Sequence, residues 1–128
     1  MKTRYAVALS VLAGAALGAA AVQGLHAQAK PKAYTVSESE TVDTTHVAKW
    51  VSALEDAQSA AGGHNLHTRG GRIVHMDGPA APERVSIIEW DSLEQAQAFY
   101  KSQAYHDLAP HRDRAIRVVR RFAVEAVK

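Results

Sequence analysis

The chain of 128 residues contains no cysteine. Disulfides are therefore excluded, and a domain of this size has to be held by its apolar core. The absence also removes the thiolates on which many zinc sites depend and leaves no thiol for a lipid anchor. No twin-arginine pair stands near the start, no H-E-x-x-H occurs anywhere, and no internal repeat is present. Basic excess is scarce as well. The 15 Lys+Arg against 13 Asp+Glu give a formal net charge of +2, and two of the cations, Lys2 and Arg4, belong to the first few residues. Residues 30–128 are formally neutral. Non-specific nucleic-acid binding would need a basic footprint, and the domain as a whole lacks one, although Arg112, Arg114, Arg117, Arg120 and Arg121 cluster late.

What is present at the start is a leader. Lys2 and Arg4 precede an uncharged Ala/Gly/Val/Leu run from Tyr5 to Val22, and "LHAQAK" follows with Ala27 and Ala29 placed for A-x-A cleavage. A basic segment, an apolar segment and a small-residue exit are the marks of a secretory signal peptide. An uncleaved anchor would need about 20 strongly apolar residues, and Ala and Gly dilute this run. The Gly14–Gly18 spacing of a helix-packing motif arises easily in such a composition. The expectation is a leader over residues 1–29 and one domain over 30–128, exported unfolded to the periplasm, with membrane contact only through the leader before cleavage.

Past the Lys30-Pro31-Lys32 linker, "AYTVSES" alternates, with Tyr34 and Val36 on one side and Thr35 and Ser37 on the other, which predicts a strand. Asp43 or Thr44 can cap a helix whose apolar stripe is Val47, Trp50, Val51, Leu54, Ala57 and Ala61, and Gly62-Gly63 ends it. "HNLHT" and "RIVHM" both read as strand, joined at Arg69-Gly70-Gly71, and "DGPAAPE" as loop. "RVSIIEW" reads as a strong strand. Ser92 with Gln95 forms a capping box for a helix with Leu93, Ala96, Phe99 and Tyr100 on one side. That helix continues with an interruption near Pro110, and "RVVRRFAVEAV" closes as a strand. The order β-α-β-β-α-β is that of ferredoxin-like α+β folds, a four-stranded antiparallel sheet with two helices on one face. In "RVSIIEW", Val85 and Ile87 point one way and Ile88 and Trp90 the other. Both faces want cover, so a second copy packed sheet to sheet is expected on the side without helices.

The segment "HTRGGRIVHMDGP" invites a metal or phosphate reading. His64 and His67 are three apart in an extended segment and point to opposite faces, so with His75 they do not converge as zinc requires; no metal is expected. Gly70-Gly71 leads into a further strand and not into a helix N-terminus, against phosphate binding. The glycines mark a bulge or a close backbone approach. "HRD" at His111–Asp113 matches a kinase triplet with nothing else of a kinase around it. Elsewhere, Glu89 stands between Ile88 and Trp90. It is either a solvated edge carboxylate or one facing a cavity, where desolvation would raise its pKa and suit it to accept a proton. Tyr100 and Tyr105 read as amphipathic core residues near the helix bend. Arg112 reads as half of an internal salt bridge, or as the holder of an anionic ligand.

"RGG", "IIEWDSLEQAQAFYKSQAYHDLAPHRDRA" and "FAVEA" together resemble the bacterial family called domain of unknown function 1330, over residues 33–126. The residues that carry the resemblance are Arg69, Gly70, Gly71, Glu89, Ser92, Tyr100, Ser102, Tyr105 and Arg112. Gln103 departs from the usual proline and Ala126 from a glycine, which bears on turn geometry. The resemblance implies a dimeric α+β barrel, in a superfamily that includes cofactor-free monooxygenases, and no cofactor. It also groups Glu89 with Tyr100, Tyr105 and Arg112 around the second helix.

Three functions are compatible with these features: a homodimer binding a small organic ligand between sheet and helices, a cofactor-independent monooxygenase-like or isomerase-like enzyme, and a purely structural assembly domain. Ligand-binding candidates are Arg69, Glu89, Tyr100, Tyr105 and Arg112, the last four being also the catalytic candidates, with Glu89 or a nearby His as the base of the enzymatic reading. The leader generates the first prediction. Protein recovered from the periplasm of a Gram-negative host should begin near Gln28 or Lys30 by N-terminal mass analysis; an intact Met1 on the mature protein would count against cleavage.

Overall fold

A strand that alternates in sequence alternates in burial. In the computed structural model, which describes residues 29–128, β1 runs over Ala33–Thr41 with Ala33, Thr35, Ser37 and Ser39 buried and the residues between them half-buried. The leader, with its exit up to Gln28, lies outside the described residues. β1 is central. It pairs antiparallel with β3 (Arg84–Trp90) on one side and with β4 (Ile116–Glu125) on the other, and the short β2 (His64–Asn65) extends the sheet beyond β3. The strand order β2-β3-β1-β4 is the ferredoxin-like arrangement.

Helix α1 (Thr44–Ala60) starts on Asp43, whose carboxylate accepts from the Thr45 backbone N–H at 2.9 Å and from its hydroxyl at 2.7 Å. The hydrogen bonds also hold the Asp43 carboxyl below its ordinary pKa. At the far end Gly62 adopts φ 88°, and the N–H groups of Gly62 and Gly63 return to the carbonyls of Ser59 and Gln58 at 3.0 and 2.8 Å. This is a Schellman stop. Gly63 is needed for a different reason: a Cβ there would stand 2.8 Å from the Trp90 ring and 3.0 Å from Ile88.

The second helical region is three short helices, α2 (Leu93–Lys101), α3 (Gln103–His106) and α4 (Ala109–Ala115). The N-cap forms with a shifted return bond: Ser92 Oγ accepts from the Gln95 N–H at 3.1 Å, and Gln95 Oε1 accepts at 2.8 Å from the N–H of Asp91, one residue before the cap. Gln95 also donates to the Ala61 carbonyl at 3.1 Å, tying the start of α2 to the end of α1. The first break falls at Ser102, earlier than proline alone would place it. Its hydroxyl donates to the Phe99 carbonyl at 2.6 Å and accepts from the Tyr105 N–H at 3.2 Å, closing one helix and opening the next. Pro110 then sits in the first turn of α4, where its missing N–H costs nothing.

The helices cover one face of the sheet. Trp50 and Leu54 of α1, Ile88 and Trp90 of β3, Ala96 and Phe99 of α2, Tyr105, Ala115 and Ile116 form the core. Trp90 stacks on Phe99 at 5.3 Å between ring centroids, and its indole N–H donates to Thr35 Oγ1 at 3.1 Å, so the buried polar atom is satisfied.

One expected element is absent. "RIVHM" is not a strand, and the bulged strand expected to run through Arg69-Gly70-Gly71 does not form. After Asn65 the chain still gives the Leu66 N–H to the Ile87 carbonyl at 3.1 Å, but His67 takes φ 56° and turns it out of the sheet. The Thr68 hydroxyl then donates to the Val85 carbonyl and accepts from the Ile87 N–H, both at 3.0 Å. A side chain thus occupies the edge of β3 where a strand would have paired. Residues 72–83 run on as a loop with Val74 and Met76 exposed. β-propensity without a free edge to pair with produced no strand.

The close fit of α1's exit against Trp90 generates a prediction. Gly63→Ala should destabilise the domain by roughly 1–3 kcal/mol, the usual cost of overpacking a filled interior, seen as a lower melting midpoint. An unchanged midpoint would mean that Trp90 is not held against this backbone.

Candidate functional site

The inner face of the sheet, the one under the helices, is divided by residue type. Following the register, its rows across β3, β1 and β4 are Trp90, Ala33 and Glu125; Ile88, Thr35 and Ala123; Ser86, Ser37 and Arg121; Arg84, Ser39 and Val118. The half nearer Trp90 is mostly apolar core, with Thr35 buried among it and Ala123 and Glu125 exposed at the β4 edge. The other half is serine and arginine with one valine, Val118. Small side chains under a helix leave a narrow cleft there, with about 20 Å³ of room for a water-sized molecule, lined also by Trp50, Val51, Leu54 and Gln58 of α1 and by Arg69 and Tyr100.

Arg121 reaches this cavity through an irregularity. The β1–β4 register shifts between Glu38 and Ser39, leaving Val119 without a partner. Strict alternation would put Val118 and Arg121, three apart, on opposite faces. The extra residue puts both on the inner face, as β-bulges do when they re-aim a side chain. There Arg121 donates to Ser37 Oγ at 2.7 Å and to the Tyr105 hydroxyl at 2.6 Å. Its guanidinium carbon lies 4.5 Å from the Tyr100 ring centre and 5.3 Å from that of Tyr105.

Arg69 enters from the loop after β2, its side chain only 10% exposed. It donates to Glu55 Oε1 at 3.0 Å and to Gln58 Oε1 at 2.9 Å, and Gln58 in turn donates weakly to the Tyr100 hydroxyl at 3.4 Å. Burial pushes the Arg69 pKa down from its ordinary value, with the Glu55 carboxylate acting the other way. A shallower depression shares Arg121, Ile116 and Val118 with the cavity and adds Tyr105, Arg112 and Asp113. Arg112 donates to Asp113 at 2.9 Å and to the Tyr105 hydroxyl at 3.3 Å. Tyr105 therefore receives two guanidinium hydrogen bonds on one phenolic oxygen.

Four of the five residues singled out from sequence, Arg69, Tyr100, Tyr105 and Arg112, thus belong to one connected region. Glu89 does not. Opposite Tyr34 in the register, it lies on the outer face, accepts from the Tyr34 hydroxyl at 3.0 Å and has Lys32 Nζ 3.6 Å away. That hydrogen bond raises the Tyr34 pKa. The expected grouping of Glu89 with Arg112 is corrected by strand parity: β3 turns Ile88 and Trp90 inward, so the residue between them must point outward. Sequence reasoning missed Gln58, Arg84, Arg121 and the serines. The signal was there for Gln58, eight residues after Trp50 and four after Leu54 on the same stripe, and 2% exposed. Arg84 and Ser86 likewise continue the inward alternation of Ile88 and Trp90. Among the described residues no group of three or more His, Asp or Glu side chains is placed to hold a metal ion.

No curated protein matches the chain. Among solved structures, it is similar to a protein of unknown function from Rhodopseudomonas palustris, with a TM-score of 0.61 and 14% identity over 77% of this chain and 85% of that one. A methylated form of the same protein gives 0.59 and 15%, over 77% and 83%. A looser likeness, TM-score 0.49 and 9% identity over 77% and 95%, is to SnoaB, a cofactor-independent oxygenase from Streptomyces nogalater. At such identities the likeness to the Rhodopseudomonas palustris protein speaks for the fold alone. The family model described as Domain of unknown function (DUF1330) matches residues 32–127, and the chain belongs to that family.

Proposed function

We propose that this chain is an exported, homodimeric α+β domain that binds a small organic ligand in the cavity between its sheet and helices. One observation carries the reading: the sheet floor is serine and arginine where a surface that only packed helices would be apolar. Polar groups placed under helices cost free energy unless they are hydrogen-bonded, whereas a binding site calls for a few convergent polar groups among apolar walls. Trp50, Val51, Leu54, Ile116 and Val118 supply such walls.

A cofactor-free enzymatic role is the second reading, and Tyr105 favours it. Its hydroxyl oxygen accepts from Arg121 and Arg112, while its own hydrogen has no acceptor among the described residues. Such a hydroxyl is placed to give a proton to a bound molecule.

The outer face supports the assembly. Phe122 and Val124 stand 44% and 51% exposed on the side that Val36 and Ile87 share, flanked by Arg120–Glu38 at 2.6 Å and by the Arg117–Glu40 pair. A second copy packed sheet to sheet would cover this strip.

Two outcomes test the proposal. Light scattering at micromolar concentration should report a dimer, consistent with an interface of about 1,600 Å² or more, and Phe122→Glu should shift it towards monomer; a wild-type monomer would sink the assembly. Mass spectrometry of natively purified, then denatured protein should release a small molecule that Ser86→Leu, which fills the cavity, no longer retains and Glu89→Gln, outside it, does. Release of nothing, or equal retention by both variants, would remove the cavity as the site.

A further inference from the structure

We infer that the ligand is an organic monocarboxylate, its carboxylate received by Arg84 and Arg121 over the serine floor and its apolar body lying along α1; the inference rests on the cavity being the binding site. It starts from charge. The ionisable groups that line the cavity include three arginines, Arg69, Arg84 and Arg121, and no carboxylate. Arg69 is matched at the rim by Glu55. Arg84 has no salt bridge or side-chain hydrogen bond among the described residues, and Arg121 is held by hydroxyls and ring faces only. Among the described residues no carboxylate is hydrogen-bonded to either guanidinium, and the only carboxylate whose titration registers the charge of Arg84 is its chain neighbour Glu83, outside the cavity lining. Arg84 also acts against the charge on Arg69, so an anion would relieve repulsion as well as supply acceptors.

Geometry supports a shared ligand group. Arg84 and Arg121 stand on the strands either side of β1, opposite Ser39 and Ser37. Neighbouring strands are about 4.8 Å apart and residues rise about 3.4 Å along a strand, so the two stems, two strands and two residues apart, start roughly 12 Å from each other with only serine between them. A carboxylate above Ser37 and Ser39 lies within reach of both long side chains. The guanidinium fork matches planar two-oxygen acceptors. Chemistry of the opposite wall narrows the class: it is apolar, with Val51 half-buried beside the core residues Trp50 and Leu54, and offers no polar group to a small inorganic dianion.

The test titrates the full-length mature protein by calorimetry with benzoate, phenylacetate and hexanoate, each beside its neutral amide, and with inorganic phosphate. The acids should bind, the amides and phosphate at least tenfold more weakly. Arg121→Met should weaken acid binding by roughly tenfold or more, as expected for loss of a charge-assisted hydrogen bond. Because Arg121 also holds Ser37 and Tyr105, Arg84→Gln is the cleaner variant: it should weaken acid binding similarly while the ligand-free melting midpoint stays level or rises. Amides binding as well as acids, in a manner lost in Ser86→Leu, would overturn the carboxylate class and keep the cavity as the site. Phosphate binding as tightly as the acids would overturn the amphipathic class. Binding of no probe would overturn the inference and count against the cavity too.

Discussion

The Arg121 guanidinium has to be kept on the inner side of the sheet without a carboxylate, and much of the helix-facing half is arranged around that requirement. Taking an ion out of water costs several kcal/mol. Against that stand two hydrogen bonds from a charged donor, worth about 1.5–3 kcal/mol each, and contact with the Tyr100 ring, worth about 0.5–2 kcal/mol. The terms are of the same size. Holding the charge therefore calls for all of them together: Ser37 on β1, Tyr100 at the end of α2, Tyr105 on α3, and the unpaired Val119 that lets β4 aim the side chain inward. The break at Ser102 serves the same end. By closing α2 and opening α3 it sets two tyrosines on successive helices with ring centroids 4.9 Å apart.

The apolar half of the inner face supplies the stability that lets the other half be polar. Trp90 and Ile88 are 1% exposed, and burying such side chains contributes about 1.5–3 kcal/mol each. They meet Gly63 at the exit of α1 so closely that no side chain fits there. The exit of α1 is fixed, and with it Gln58, whose carbonyl closes the helix and whose side chain meets Arg69 and Tyr100. Core packing and site geometry are thus joined through one helix terminus.

Membership of the DUF1330 family and the ferredoxin-like architecture agree with each other but leave the chemistry open, since one fold serves many unrelated functions. The division of the inner face into apolar and serine–arginine halves is more informative than the fold. It separates a sheet used only for packing from one that also presents a site, and it does so with residues that are unremarkable singly.

Periodicity alone determined most of the architecture, because local patterns suffice for it: the stripe of α1, its Gly62-Gly63 stop, the Ser92–Gln95 cap, the strands around Ile88 and Val36, and hence the βαββαβ order. Arg69, Tyr100, Tyr105 and Arg112 were legible as candidates through their side-chain chemistry and the family resemblance, not through periodicity. Tertiary structure decided the rest. "RIVHM" has the composition of a strand, but pairing needs a free edge, and Thr68 had taken it. Which side of β1 faces the helices could not be read from alternation, and it is the Thr/Ser side that does, not Tyr34 and Val36. Glu89 went outward because its neighbours went inward. Arg121 came inward through a register shift between two strands far apart in sequence. Alternation says that neighbours differ, and only pairing and packing across the chain say which of them is inside.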